Sequence, residues 1–229
     1  MQKLKDFIVS SIGGKVIMAL SGAMILLFLM GHALGNLLIF SGQESLNTYA
    51  YWLQNNPLLW GFRATMLLLL LLHVVLAIRV YWQNKKARPV AYAVNRDLQL
   101  TVSAKTMIFS GAIIFAFIVF HIAHLTLGWV STTSLEIEAG QHMIDVYSNV
   151  VAGFRQPLIA VFYVISLLVI GLHLHHSIKS LFQTLGFHHQ NFHQMIDYLA
   201  PAVIVILTLA FISIPLAALF GYLPLVVTP

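Results

Sequence analysis

Five long apolar runs separated by short polar connections dominate the chain. They cover about Gly13 to Phe40, Pro57 to Gln83, Ala104 to Trp129, Gln156 to Phe182 and Leu199 to Phe220. Each is near the roughly 20 residues that an α-helix needs to cross a bilayer. In hydrocarbon every backbone N–H and C=O must be satisfied within the segment, so such runs predict helices. The pattern therefore predicts an all-α integral membrane protein with five transmembrane helices. No internal repeat, linker or low-complexity tract interrupts it, and residues 1–229 read as a single domain. Pro201 suits the first turn of the fifth helix, and Pro215 predicts a kink near its end.

Composition strengthens this reading. The chain is 59% hydrophobic and 8% charged, whereas a water-soluble domain carries roughly 25% charged residues. Little sequence is left for an extramembrane domain. The first run is long and lacks a small-residue cleavage site, so it reads as an uncleaved anchor. The absence of cysteine excludes disulfides, thiolate-bound iron–sulfur clusters and covalent c-type haem. There is no phosphate-binding loop and no dinucleotide fingerprint. Any soluble redox centre must then lie on another chain.

The net charge of +5 reports membrane orientation, not nucleic-acid binding. Lys3, Lys5 and Lys15 precede or open the first helix, and Lys85, Lys86, Arg88, Arg96 and Lys105 fill the second connection. The connection from Ser41 to Asn56 has no Lys or Arg; that from Val130 to Gly153 has none either and carries Glu136, Glu138 and Asp145. The positive-inside rule places the N-terminus in the cytoplasm and the C-terminus outside. Arg63 and Arg155, at the outer ends of the second and fourth helices, are minor exceptions.

Four of the helices carry a histidine to membrane depth: His32, His73, His121 and His173. An ionisable side chain there is expensive to bury and marks a functional site. At about 1.5 Å rise per residue, His32 and His121 lie roughly 25–27 Å from the cytoplasmic helix ends, and His73 and His173 roughly 14–18 Å. Two levels with two imidazoles each match the axial ligands of two stacked haems b. His32 pairs with His121 near the outer face, and His73 with His173 nearer the cytoplasm. The first four helices would then form a bundle around the haems. Gly31, Ala33, Gly35 and Asn36 surround His32, and Gly171 precedes His173. Small residues there allow a flat macrocycle to approach, and they equally suit helix–helix packing.

Spacing alone leaves His124 and His176 open as ligands, since each shares a helix face with its neighbour three residues back. His175 points elsewhere. His188, His189 and His193 fall in the connection before the fifth helix, and His142 in the outer connection; these read as solvated or partner-facing. Arg79 and Lys179 lie near the inner level, where they can pair with haem propionates or snorkel to the interface. A single membrane histidine is more often packed and hydrogen-bonded, or part of a proton path. The paired depths of four favour haem.

The stretches Leu27-Phe-Leu-Met-Gly-His-Ala-Leu-Gly-Asn36, Leu72-His-Val-Val-Leu-Ala-Ile-Arg79, Phe120-His-Ile-Ala-His-Leu-Thr126 and Leu172-His-Leu-His-His-Ser-Ile-Lys-Ser-Leu-Phe-Gln-Thr-Leu-Gly186 resemble the five-helix dihaem cytochrome b subunit of bacterial succinate:quinone oxidoreductases. That family comprises succinate dehydrogenases and quinol:fumarate reductases. Each stretch is short, but their order, one per helix over nearly the whole chain, is specific. The resemblance implies axial ligation by His32, His73, His121 and His173, paired first with third and second with fourth. It favours His173, thirteen residues before the helix-closing Gly186, over His176, and His121 over His124. It implies an iron–sulfur partner and a flavoprotein partner on the cytoplasmic side of a bacterial inner membrane, and a quinone, commonly menaquinone. Glu44 resembles an acidic outer-loop position of some members, a candidate for the quinone site. Gly171 departs from the family: some dihaem fumarate reductases carry there a glutamate implicated in proton movement, which puts that route in doubt here.

Two other classes compete. One is the dihaem anchor of another respiratory enzyme, such as a hydrogenase, formate dehydrogenase or nitrate reductase, although many of those place both ligand pairs on fewer helices. The other is a transporter that carries protons or metal ions on its histidines.

Overall fold

A computed structural model describes residues 6–7, 10–87, 106–130, 136–138, 142–187 and 190–225, with the backbone alone for 136–138, 142–143 and 190–193. In chain order it has α1 (Ser11–Leu37), a 3-10 turn (Leu38–Ser41), α2 (Gln43–Gln54), α3 (Leu59–Lys86) and α4 (Met107–His121), which continues as a π turn (Ile122–Thr126). A two-stranded antiparallel hairpin follows, β1 (Glu136–Glu138) and β2 (His142–Ile144), then α5 (Val146–Phe154), α6 (Pro157–Thr184) and α7 (Gln190–Leu219). Five of these helices are long and apolar enough to cross a membrane: Ser11–Ser41, Leu59–Lys86, Met107–Thr126, Pro157–Thr184 and Gln194–Leu219. The chain is an all-α, multi-span integral membrane protein whose small hairpin is confined to a connection. Its outward side chains agree: Leu158 is 87% exposed and Ile206 69%, an apolar exterior that suits lipid and not water.

Contacts divide the chain into two compact units. The first comprises Met1–Phe28, Arg63–Ala112 and Leu172–Ile204. Its core is Ile178 of α6 against Ile196, Ala200 and Ile204 of α7, with Leu26, Leu174 and Phe182 packed around them. Lys179 and Asp197 form an ion pair of 2.8 Å between the same two helices. The second comprises Leu29–Phe62, Ile113–Gly171 and Val205–Pro229. Its core joins Ile39 and Leu46 to Phe117, Val151, Phe154 and Tyr163.

Several features differ from the sequence expectation. The connections from Ser41 to Asn56 and from Val130 to Gly153 each hold a helix whose inward face enters the core of the second unit, α2 through Leu46 and α5 through Tyr147, Val151 and Phe154. Asp145 caps α5, its side chain accepting from the Ser148 backbone N–H at 3.0 Å. It also accepts from Gln43 Nε2 at 2.7 Å and Asn47 Nδ2 at 2.8 Å, and the Tyr147 N–H donates to Asn47 Oδ1 at 2.9 Å. This buried network fastens α2 to α5. The third spanning helix stops being α-helical at His121, and the fifth begins at Gln190, so His193 is helical and not in a connection. His142 stands on β2. Lys3, Lys5, Arg88, Arg96, Lys105, His188 and His189 lie outside the described residues. Gly186 follows α6 with φ +84°, the left-handed conformation that ends a helix without Cβ strain.

Candidate functional site

His73 and His173 belong to the first unit, His32 and His121 to the second. In the first unit His73 Nδ1 lies 3.0 Å from the carbonyl oxygen of Met18. A carbonyl only accepts, so the His73 proton sits on Nδ1 and Nε2 keeps its lone pair. Ser21 Oγ donates to the same Met18 carbonyl at 3.0 Å. His173 Nδ1 lies 3.0 Å from Ser110 Oγ, whose own proton goes to the Met107 carbonyl at 3.0 Å. Ser110 must therefore accept, and His173 is again protonated at Nδ1 with Nε2 left as the basic nitrogen. Metal-bound imidazoles show this arrangement: the distal N–H is tied to a backbone or polar acceptor, which fixes tautomer and ring orientation. His73 also lies within electrostatic range of His173.

Two glycines give these rings their space. A Cβ on Gly22 would stand 3.0 Å from His73 Cε1, and one on Gly111 would stand 3.8 Å from His173 Cε1. Gly171 has a different reason. A Cβ there would meet Thr208 Oγ1 of α7 at 2.8 Å, so it is a helix-packing glycine with no room for a carboxylate side chain. Gly31 has nothing within 4 Å, and Gly35 faces the Tyr49 ring.

In the second unit the His32 and His121 ring centres are 6.0 Å apart, with planes at 89°. Two imidazole–metal bonds of about 2 Å each, with the ring radii added, place ring centres about 6 Å apart. The spacing fits an iron between them. Phe211 of α7 packs on the His32 ring at 5.9 Å. His32 Nε2 lies 3.2 Å from Asn36 Nδ2 one turn on. Ligation through that atom requires the Asn36 amide to swing aside. His121 Nδ1 is 3.4 Å from the Tyr163 hydroxyl, and His124 Nδ1 is 2.9 Å from it.

Among the described residues no three His, Cys, Asp or Glu side chains cluster to hold a bare metal ion. The donor set is two imidazoles at a time, which suits a haem whose other four ligands come from the macrocycle. His176 and His175 are half-buried on α6. Lys179 is engaged with Asp197, and Arg79 is half-buried on α3. Glu44, with Ser45, Thr48, Tyr49 and Trp52, lines an open groove of about 590 Å3 along α2. The tethers Met18, Ser21, Ser110 and Tyr163 escaped the sequence reading. Isolated hydroxyls within apolar runs were the available signal, but nothing in the sequence says which histidine they face.

The fold defines a multi-span helical membrane protein with imidazoles on four of its five candidate spanning helices. No family model matches the chain, and neither the curated proteins nor the solved structures give a match.

Proposed function

We propose that this chain, acting as one domain over residues 1–229, is the membrane-anchor cytochrome b subunit of a succinate:quinone oxidoreductase. It serves electron transfer between a membrane quinone and an iron–sulfur subunit on the cytoplasmic face, to which a flavoprotein subunit is joined. The observation that carries the haem reading is the tethering of His73 and His173 at Nδ1, to the Met18 carbonyl and to Ser110 Oγ at 3.0 Å each, from which we infer that Nε2 is the basic nitrogen of both rings. His73 and His173 would hold one haem b, and His32 and His121 the other. The bound haems supply one-electron redox chemistry. The chain's own residues fix imidazole tautomer and orientation. The first four spanning helices would bundle around the two haems. The identity of the complex rests on the resemblance of the four histidine stretches, and no dicarboxylate site is assigned to this chain.

Orientation is proposed from charge. Lys3, Lys5, Lys15 and the connection from Lys85 to Lys105 carry eight of the 12 Lys and Arg, and the connections from Ser41 to Asn56 and from Val130 to Gly153 carry none. The positive-inside rule therefore puts the N-terminus and the connection from Lys85 to Lys105 in the cytoplasm of a bacterial cell, with the C-terminus outside its inner membrane. The Glu44 groove, which joins an acid to two aromatic rings, is the candidate quinone site, with menaquinone the expected quinone. Arg79 and Lys179 are the candidate propionate contacts, and Lys179 also pairs with Asp197.

The test is a pyridine haemochrome assay on purified protein, which should give two haems b per chain. A content near zero sinks the haem reading, and a content near one sinks the pairing. Single replacements read by redox titration should sort the ligands. His73→Ala and His173→Ala should each remove one component, and His32→Ala and His121→Ala the other. His176→Ala should keep both. Co-purifying subunits with succinate or fumarate activity would identify the complex; hydrogenase, formate dehydrogenase or nitrate reductase subunits would replace that assignment.

A further inference from the structure

The third spanning helix changes hydrogen-bond register where it carries two histidines. It is α-helical to His121 and then makes a π turn over Ile122–Thr126. Such turns are uncommon and recur at functional sites. The extra residue per turn alters the angle between His121 and His124 from its α-helical value. Both Nδ1 atoms end on one hydroxyl, that of Tyr163 on α6, at 3.4 and 2.9 Å.

Tyr163 and His124 are each only 3% exposed. The Tyr163 ring is locked edge-on between Phe117 at 5.1 Å and Phe154 at 4.7 Å. His124 is closed in from the far side: a Cβ on Gly153 of α5 would lie 2.7 Å from its Nε2. His124 is thus enclosed between Tyr163 and Gly153. His124 Nε2 is a buried polar atom with no hydrogen-bond partner among the described residues. An orphaned buried polar group of this kind is costly, so its retention calls for a reason.

We propose that Tyr163, backed by His124, is a positioning residue that sets the orientation and basicity of His121 as an axial ligand. The inference rests on the haem reading above. Ligation through His121 Nε2 requires the proton at Nδ1, which donates to the Tyr163 oxygen. The single Tyr163 proton then donates to His124 Nδ1. That leaves the His124 proton on Nε2, facing Gly153, where the unpartnered atom is found. The orphan is the end of a directed hydrogen-bond chain that begins at the ligand. A ligand N–H held by an acceptor is a more basic ligand, and second-shell hydrogen bonding is one of the protein's levers on haem potential. Greater basicity favours ferric iron and lowers the midpoint potential. The bracket therefore holds this haem below the potential it would otherwise have.

The experiment is a redox titration of the full chain in its membrane complex, with haem content measured in parallel. Tyr163→Phe should keep two haems per chain and shift one midpoint upward, that of the component which His121→Ala eliminates, while the other stays in place. His124→Phe leaves the Tyr163 hydroxyl on His121 but removes the acceptor that polarises it, so the same midpoint should rise by less. Unchanged midpoints in Tyr163→Phe overturn the bracket, as does loss of a haem in His124→Phe, which would make His124 the ligand. If Tyr163→Phe fails to assemble, His124→Phe decides alone: a rise supports the proposal and no change overturns it. A wild-type protein without haem overturns the underlying reading instead, and is distinguished by the haem content before any variant is made.

Discussion

Gly22 and Gly31 belong to the same helix and meet different surroundings. Gly22 touches the His73 ring, and Gly31 faces open space. Gly22→Leu should push His73 off its Met18 tether and remove the haem component that His73→Ala removes, about half the haem. Gly31→Ala should leave both components intact. Reduced-minus-oxidised spectra of the two variants check this, and an unchanged spectrum in Gly22→Leu would contradict the placement of His73. Asn36 offers a second residue-scale test. Its amide engages His32 Nε2, the atom that the proposed ligation would use. Asn36→Leu should therefore retain both haems; loss of the outer one would show that Asn36 helps to hold the ligand. The sequence brought all four histidines into view, since an imidazole in an apolar run stands out by composition alone. It was silent on tautomers, which depend on what sits beside each Nδ1.

At the scale of elements, α2 and α5 are fastened by Asp145. Burial, the largest single influence, pushes its carboxyl up, but donors from the Ser148 backbone and from Asn47, Ser148 and Gln43 together hold it below the ordinary carboxylate value. A group depressed in the folded state contributes stability that is fully present above its unfolded value of about 3.9 and is lost as pH falls through the folded value. Melting of the detergent-solubilised protein should thus become acid-sensitive only below about pH 4, and Asp145→Asn should blunt that dependence. Asp145→Ala should destabilise by about 2–3 kcal/mol, because it removes a helix cap and strands several donors. An unchanged melting temperature would mean that the network carries no net stability. Neither helix was legible as structure in the sequence. Both are short and sit in polar connections, and their apolar faces are set by contacts with distant residues such as Phe117 and Tyr163. The π turn was equally hidden, since one inserted residue leaves the apolar run looking continuous.

At the scale of the whole molecule, the charge distribution makes a topological prediction. If the connection from Lys85 to Lys105 faces the cytoplasm, cross-links from an iron–sulfur subunit should fall on it and on Phe187 to Asp197. Cross-links confined to Glu136, Glu138 or the α2 and α5 region would reverse the topology. The exposed apolar flanks, with Leu158 and Ile206 as extremes, should be covered by lipid or detergent.

The five spans, and the histidine that each of four brings to membrane depth, follow from the sequence alone. Hydropathy and helical rise are local properties, read one segment at a time. The charge asymmetry on which the proposed orientation rests is local in the same sense. Which side chains meet is not local. That His73 gives its proton to Met18, that Ser110 can only accept from His173, that Gly171 serves Thr208, and that one tyrosine hydroxyl joins His121 to His124 were all decided by tertiary structure. Each depends on the rotation of one helix against another, and a uniformly apolar helix carries no periodic signal for that rotation.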